Sequence, residues 1–178
     1  MRKVLTVIFA AALLCSCSGD SLKTTYATQA EKIDNYVNSQ IKAHPEYVAV
    51  YNEGVVRLTV SEGDGEVLAK GGRVTFTYVG YNFNSYNIGK SNIFATNDRD
   101  FAASSGWKLS DESVFEPVTI TLGKDDLVKG LELGLEGIRG GEDCYIIFSG
   151  KYGFGRQLGT IPANAAICYR ILADEVVN

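Results

Sequence analysis

The sequence predicts an α+β fold in which a largely antiparallel sheet wraps around one short helix, with an extra helix ahead of it. Three observations predict it. Apolar residues alternate with polar ones in short β-rich runs bounded by glycine turns, as in Arg73 to Val79, where Val74, Phe76 and Tyr78 share one face and Thr75 and Thr77 the other. A single short helical segment, Asp126 to Leu135, falls late among these runs rather than between each pair, which argues against a parallel α/β sheet. Ahead of the strands, Ala30, Ile33, Val37 and Ile41 recur at helical spacing.

That first helix follows a short polar tether, Ser18 to Lys23, with Thr24 or Thr25 available as its cap, and Pro45 closes it after His44. Its apolar stripe is read as a face docking on the domain. Tyr47 to Tyr51 and Val55 to Val60 then pair across Asn52-Glu53-Gly54, expected as a three-residue hairpin loop, and Glu62-Gly63-Asp64-Gly65 makes a second turn. From Tyr81 to Phe115 no clean period appears, yet Tyr81, Phe83, Tyr86, Phe94, Phe101, Trp107 and Phe115 make the stretch too aromatic for a free linker. It is expected to be ordered, since burying several aromatics outweighs a modest closure entropy, either as a flap that rims a pocket or as one packed simply for stability. Val118 to Leu122, Glu142 to Phe148 and Ala166 to Val176 are the remaining strands.

The beginning of the chain is read apart from this fold. Arg2 and Lys3 precede an apolar run from Val4 to Leu14, which is too short for a bilayer helix of about 20 residues and has the architecture of a signal peptide. Leu14-Cys15-Ser16-Cys17 resembles the lipobox of bacterial lipoproteins, in which Cys17, following the small Ser16, becomes the acylated N-terminus. The expected organisation is therefore a signal peptide over 1–16, a lipidated tether and helix over 17–45, and one domain over 46–178 with an aromatic insertion at about 81–115. Acyl chains contribute about 0.8 kcal/mol per buried CH₂, so a multiply acylated Cys17 would anchor the protein to a membrane face outside the cytoplasm, in the bacterial cell envelope.

Composition narrows the function. The chain carries 17 Lys and Arg against 21 Asp and Glu, and cleavage before Cys17 removes two bases and no acid, leaving 15 against 21 and a net of −6. Without a basic cluster, nucleic acid is disfavoured as a partner. His44 is the one histidine, which rules out a two-histidine zinc site, so no metal or other cofactor is expected; Gly153-Phe154-Gly155 lacks the third glycine of a dinucleotide fingerprint. Asp98 with Asp100, and Glu132 with Glu136, are read as solvated surface acids. Cys144 is expected to face the core and Cys168, between inward Ile167 and Tyr169, to point out, so the two should not pair.

One constellation carries a stronger signal. Gly71-Gly72-Arg73-Val74-Thr75-Phe76-Thr77-Tyr78-Val79-Gly80 ends in Tyr-x-Gly. It is followed by Leu122-Gly123-Lys124-Asp125-Asp126-Leu127-Val128-Lys129-Gly130-Leu131, by Gly137-Ile138-Arg139-Gly140-Gly141-Glu142, by Tyr152-Gly153-Phe154-Gly155 and by Ile161-Pro162-Ala163. In this order and spacing, over about residues 63 to 176, the chain resembles the FKBP-type peptidyl-prolyl isomerases. The resemblance implies an FKBP-like sheet and a pocket in which Tyr78, Phe94, Val128, Phe154 and Tyr169 act on a bound proline while Val118, Leu127, Leu131 and Ile161 hold it. It also implies that the Val128 backbone N–H meets a substrate carbonyl, with proline-containing segments of exported proteins as partners and macrolides as further ligands. Three positions depart from the family pattern: Ala95 where Asp is usual, Leu131 where Trp is usual, and Phe154 where Tyr is usual.

Isomerisation of an X-Pro bond suits a chain with neither nucleophile nor metal, because only the amide has to twist over a barrier of about 18 to 20 kcal/mol. The expected function is a weak prolyl isomerase for exported proteins. A non-catalytic peptide-binding or chaperone module is the alternative, and carbohydrate binding by flap aromatics a third class. The loss of Asp at position 95 leaves the Tyr78 hydroxyl in need of a new partner, for which a water or Asn97 is expected.

Overall fold

The computed structural model describes residues 17–84, 88–107 and 115–178. The expected signal segment and Tyr86 lie outside them. Helix α1 (Cys17–Ala43) leads into strands β1 (Val48–Asn52), β2 (Val55–Ser61) and β3 (Arg73–Asn82). Then come β4 (Ile93–Thr96), helix α2 (Arg99–Ser105), β5 (Val118–Thr121), helix α3 (Lys129–Leu135), β6 (Asp143–Phe148) and β7 (Ile167–Val177). The strands form one antiparallel sheet in the order β1-β2-β6-β7-β3-β4, with β5 also paired to β3. This is the α+β architecture expected from the sequence.

Two local readings are corrected. Asn52 pairs with Val55, so the β1–β2 loop has two residues rather than three. Glu53 and Gly54 both take positive φ, 51° and 91°, as a type I′ turn requires. The stretch Ser18 to Lys23 is helical, and Thr24 and Thr25 cap nothing: their hydroxyls donate back to the carbonyls of Asp20 and Ser21 at 3.0 and 2.9 Å inside α1. The helix does end ahead of Pro45, as expected.

The sheet is buried on both faces. Against α3 lie Val74, Phe76, Ile120, Ile146, Phe148, Ile167, Tyr169 and Ile171. Against α1 lie Val56, Leu58, Val79, Tyr81, Phe83, Ile93, Ile147 and Cys168, which meet Ile33 and Val37 of the helix. The alternation of β6 and β7 therefore sends Cys144 into the first core and Cys168 into the second, each fully buried and unbonded. Cys168 was expected to point outward; it is on the opposite face from Cys144, but α1 covers that face.

The same second core claims most of the aromatic insertion. Tyr81 packs edge-on to Phe101 at 6.4 Å and Phe83 edge-on to Tyr36 of α1 at 5.4 Å, with Trp107 against the same cluster. The aromatics expected to rim a pocket are thus largely structural, and those that lie in this core form no exposed platform for a carbohydrate. The physical reason is β3, which runs on to Asn82 and carries Tyr81 on the face opposite Tyr78.

Candidate functional site

At one end of the α3-side core an apolar cavity of about 610 Å³ opens to solvent. All nine residues expected there line it: Tyr78, Phe94, Val118, Leu127, Val128, Leu131, Phe154, Ile161 and Tyr169. Tyr78 comes from β3, Phe94 from β4, Val118 from β5, and Tyr169 from β7. Leu127 and Val128 lie on the segment entering α3, and Phe154 and Ile161 on the long β6–β7 connection. Sheet pairing brings these distant residues together, since β3 lies between β7 and both β4 and β5.

Tyr169 is the hub of the wall. Its ring stands edge-on to Phe94 at 5.6 Å and to Tyr78 at 6.0 Å, and stacks on Phe148 at 6.2 Å. Gly80 makes this arrangement possible, because a Cβ there would sit 2.6 Å from the Phe94 ring and 3.1 Å from that of Tyr169. The glycine of Tyr-x-Gly is thus a space for the ring of Phe94. Leu131 and Ile161 are buried at the base of the cavity, whereas Val118 is 37% exposed and belongs to its rim.

The segment before α3 was expected to be helical from Asp126, but the helix begins at Lys129, with Val128 extended (φ −59°, ψ 134°). Val128 accepts from the N–H groups of Leu131 and Glu132 at 2.9 and 3.1 Å, while its own N–H has no acceptor among the described residues. An N–H beside an apolar cavity, outside the helix ladder, is available to a carbonyl of a bound chain.

Polar groups are few. Burial pushes the Tyr78 and Tyr169 hydroxyls above the ordinary tyrosine range, so both remain neutral. Neither hydroxyl has a protein partner among the described residues. Asn97 does not serve Tyr78 in the way expected: its side-chain oxygen accepts the Tyr78 backbone N–H at 2.6 Å, and its amide donates to Glu116 O at 2.9 Å. It holds the β3–β4 crossing together instead. Asp126 is the one charged residue among those lining the cavity, and it is exposed.

Three of the four surface acids have structural partners. Asp98 caps α2 by accepting the Phe101 N–H at 2.8 Å, Glu132 pairs with Lys129 at 3.0 Å, and Glu136 accepts from Asn52 at 3.1 Å. His44 stacks on Tyr47 with ring centroids 4.6 Å apart, away from the cavity. No group of acids, cysteines or histidine that could hold a metal occurs among the described residues.

A model of the FKBP-type peptidyl-prolyl cis-trans isomerases matches residues 65–172. The chain belongs to that family. It is 25% identical over 119 residues to FK506-binding protein 1 of Aspergillus oryzae, covering 66% of this chain and 94% of that protein. FkpA from Escherichia coli superposes with a TM-score of 0.56 at 18% identity, over 89% of this chain and 64% of that one. The N-terminal domain of FKBP42 from Arabidopsis thaliana does so with 0.53 at 16%, over 74% and 93%. At these identities the two structures speak to the fold, and α1 with β1 and β2 precedes the residues that the family model covers.

Within this FKBP domain, the turn Gly137 to Glu142 is scaffold. The buried Glu142 carboxylate accepts from Thr59 Oγ1 at 2.8 Å and from the Arg139 N–H at 3.0 Å, and lies 3.2 Å from Arg57 Nε. Arg57 in turn donates to the carbonyls of Gly134, Glu136 and Gly137 at the end of α3. Sequence reasoning missed Phe76, Ile120 and Leu158 to Thr160 as cavity residues. Phe76 and Ile120 were within reach, two positions from Tyr78 and Val118 on the same strand faces. Leu158 to Thr160 sit in an irregular loop with no period to read.

Proposed function

We propose that the chain is a prolyl cis-trans isomerase acting on exported proteins, held at a membrane face through an acylated Cys17. The observation that carries the isomerase reading is the apolar, ring-walled cavity with the uncommitted Val128 N–H beside it. Proline fits such a cavity without an N–H left unpaired. Excluding water from the amide favours the twisted form, whose C–N bond has lost resonance and whose carbonyl oxygen carries less charge and needs less hydration than that of the planar amide. Binding that form more tightly than either planar isomer lowers the barrier with no covalent step. The Val128 N–H fixes the chain next to the proline, and Tyr78 and Tyr169, kept neutral by burial, supply phenolic hydroxyls to the wall.

The Ala95 and Phe154 substitutions favour a second reading, a peptide-holding module, since each removes a polar group from the wall. Exchange of a prolyl peptide followed by NMR, with the chain from residue 18 onward, separates the two. Acceleration above the spontaneous rate supports the isomerase; binding without acceleration supports the holding module. Displacement of the peptide by a macrolide would place both ligands in the cavity. For the anchor, mass spectrometry of the native N-terminus should find an acylated Cys17, and an unmodified or differently cleaved end refutes it.

A further inference from the structure

The β6–β7 connection walls one side of the cavity with Phe154 and Ile161, yet it contains little regular structure of its own beyond a single turn at Gly150–Tyr152. Asn82 tethers it at Thr160 and Glu53 accepts from Tyr152, and its two ends are tied to α1, which lies outside the residues that the family model covers. The Gln29 carboxamide donates to the Asn164 carbonyl at 2.9 Å and accepts the Gly150 N–H at 2.8 Å. Only one orientation of the amide satisfies both contacts. The Tyr26 hydroxyl donates to Asn164 Oδ1 at 2.8 Å. Asn164 is itself in the left-handed region at φ 57°, and its N–H donates to the Phe154 carbonyl at 2.8 Å.

The bonds form a continuous path from the helix to the cavity wall. Gly150 and Asn164 are the two ends of the connection, and they pack so closely that a Cβ on Gly150 would lie 2.0 Å from the Asn164 carbonyl oxygen. Gln29 bridges those ends with one side chain, and Asn164 passes the constraint to the backbone of Phe154. We propose that Tyr26 and Gln29 are positioning residues of the cavity, through which α1 sets the placement of Phe154 and so the affinity for a prolyl peptide. The part concerning affinity rests on the reading of the cavity as a prolyl-peptide site; the part concerning placement does not.

The test compares the full chain with Gln29→Met, which keeps the side-chain volume and removes donor and acceptor, and with Tyr26→Phe. Ile33→Val is the control, since it loosens α1 packing without touching these bonds. In Gln29→Met the Gly150 and Asn164 amides should lose hydrogen-exchange protection and the Phe154 and Ile161 resonances should shift. Peptide Kd should rise about three- to tenfold, with Tyr26→Phe smaller, as expected for loss of one or two part-buried hydrogen bonds. Ile33→Val should lower the thermal midpoint and leave Kd unchanged. Unshifted Phe154 and Ile161 resonances in Gln29→Met overturn the proposal, as does a control that weakens binding as much as Gln29→Met. If the wild-type chain binds no prolyl peptide, the functional reading fails and the resonances still decide the placement.

Discussion

At the scale of the residue, Ala95, Phe154 and Asp126 distinguish this cavity. Ala95 lines it without offering an acceptor to the Tyr78 hydroxyl, and Phe154 places a ring without a hydroxyl on the wall. One hydrogen bond made in the transition state is worth about 0.5 to 1.5 kcal/mol, or roughly two- to tenfold in rate. Restoring both groups in Ala95→Asp with Phe154→Tyr should therefore raise the prolyl exchange rate by at least that factor, measured by NMR line shape or exchange spectroscopy. An unchanged rate would show that the hydroxyls take no part. Asp126 is the only charge among the described residues lining the cavity, and rim pairs are worth about 0.2 to 1 kcal/mol. Peptides with a lysine beside the proline should then bind up to about fivefold better than those with glutamate, and Asp126→Asn or high salt should erase the difference. The residues carried by rare motif spacing, such as Tyr78 with Gly80, were legible in the sequence because chemistry and shape coincide there. Leu158 to Thr160 were not, since their place on the wall is set by the Leu158–Ile161 bridge rather than by any repeating pattern.

At the scale of the element, α3 matters because its entry carries Val128. Two glycines let it lie directly on the sheet: a Cβ on Gly130 would meet the Phe148 ring at 2.3 Å, and one on Gly134 would meet Ile146 at 2.2 Å. Phe148 also stacks on Tyr169, so pressure on it reaches the cavity wall. Gly130→Ala should cost about 1 to 3 kcal/mol through overpacking, read as a lower denaturant midpoint, and should raise KM as α3 and the Val128 N–H move off the sheet. A variant with unchanged stability and KM would contradict this account of the contact. The sequence shows α3 by its apolar content but not its first residue, because the extended backbone at Val128 answers to a strand-to-helix junction and leaves no mark in hydrophobic spacing. The β1–β2 turn was misjudged by one residue for a similar reason: Glu53 at positive φ is allowed only because the hairpin's twist favours it.

At the scale of the whole molecule, one sheet separates two cores, and the first was the more legible. The second joins Ile33 and Val37 to Cys168 across most of the chain, and its aromatics from Tyr81 to Trp107 follow no single period because they come from a strand end, loops and a short helix. A titration follows from this burial. Both thiols are held well above their ordinary pKa of 9.0, desolvation being the main cause, and in the unfolded chain they would ionise near that value. The unfolded state thus loses protons first, so the stability these groups contribute is intact below about pH 9 and declines as pH rises beyond it. Denaturant midpoints measured from pH 8 to 11 should fall, and a Cys144→Ala, Cys168→Ala chain should show a shallower fall. The sharper test removes α1. Ile33 and Val37 each bury a side chain worth about 1.5 to 3 kcal/mol, and without them Val56, Leu58, Ile147 and Cys168 face water. A chain beginning at residue 46 should then be less stable, and under folding conditions its Cys168 should react with a thiol reagent while Cys144, beneath α3, stays protected. In the full chain both should resist until unfolding. Equal reactivity of the two thiols after truncation would mean that the sheet itself opens, and protection of both would mean that α1 is not what covers the second face.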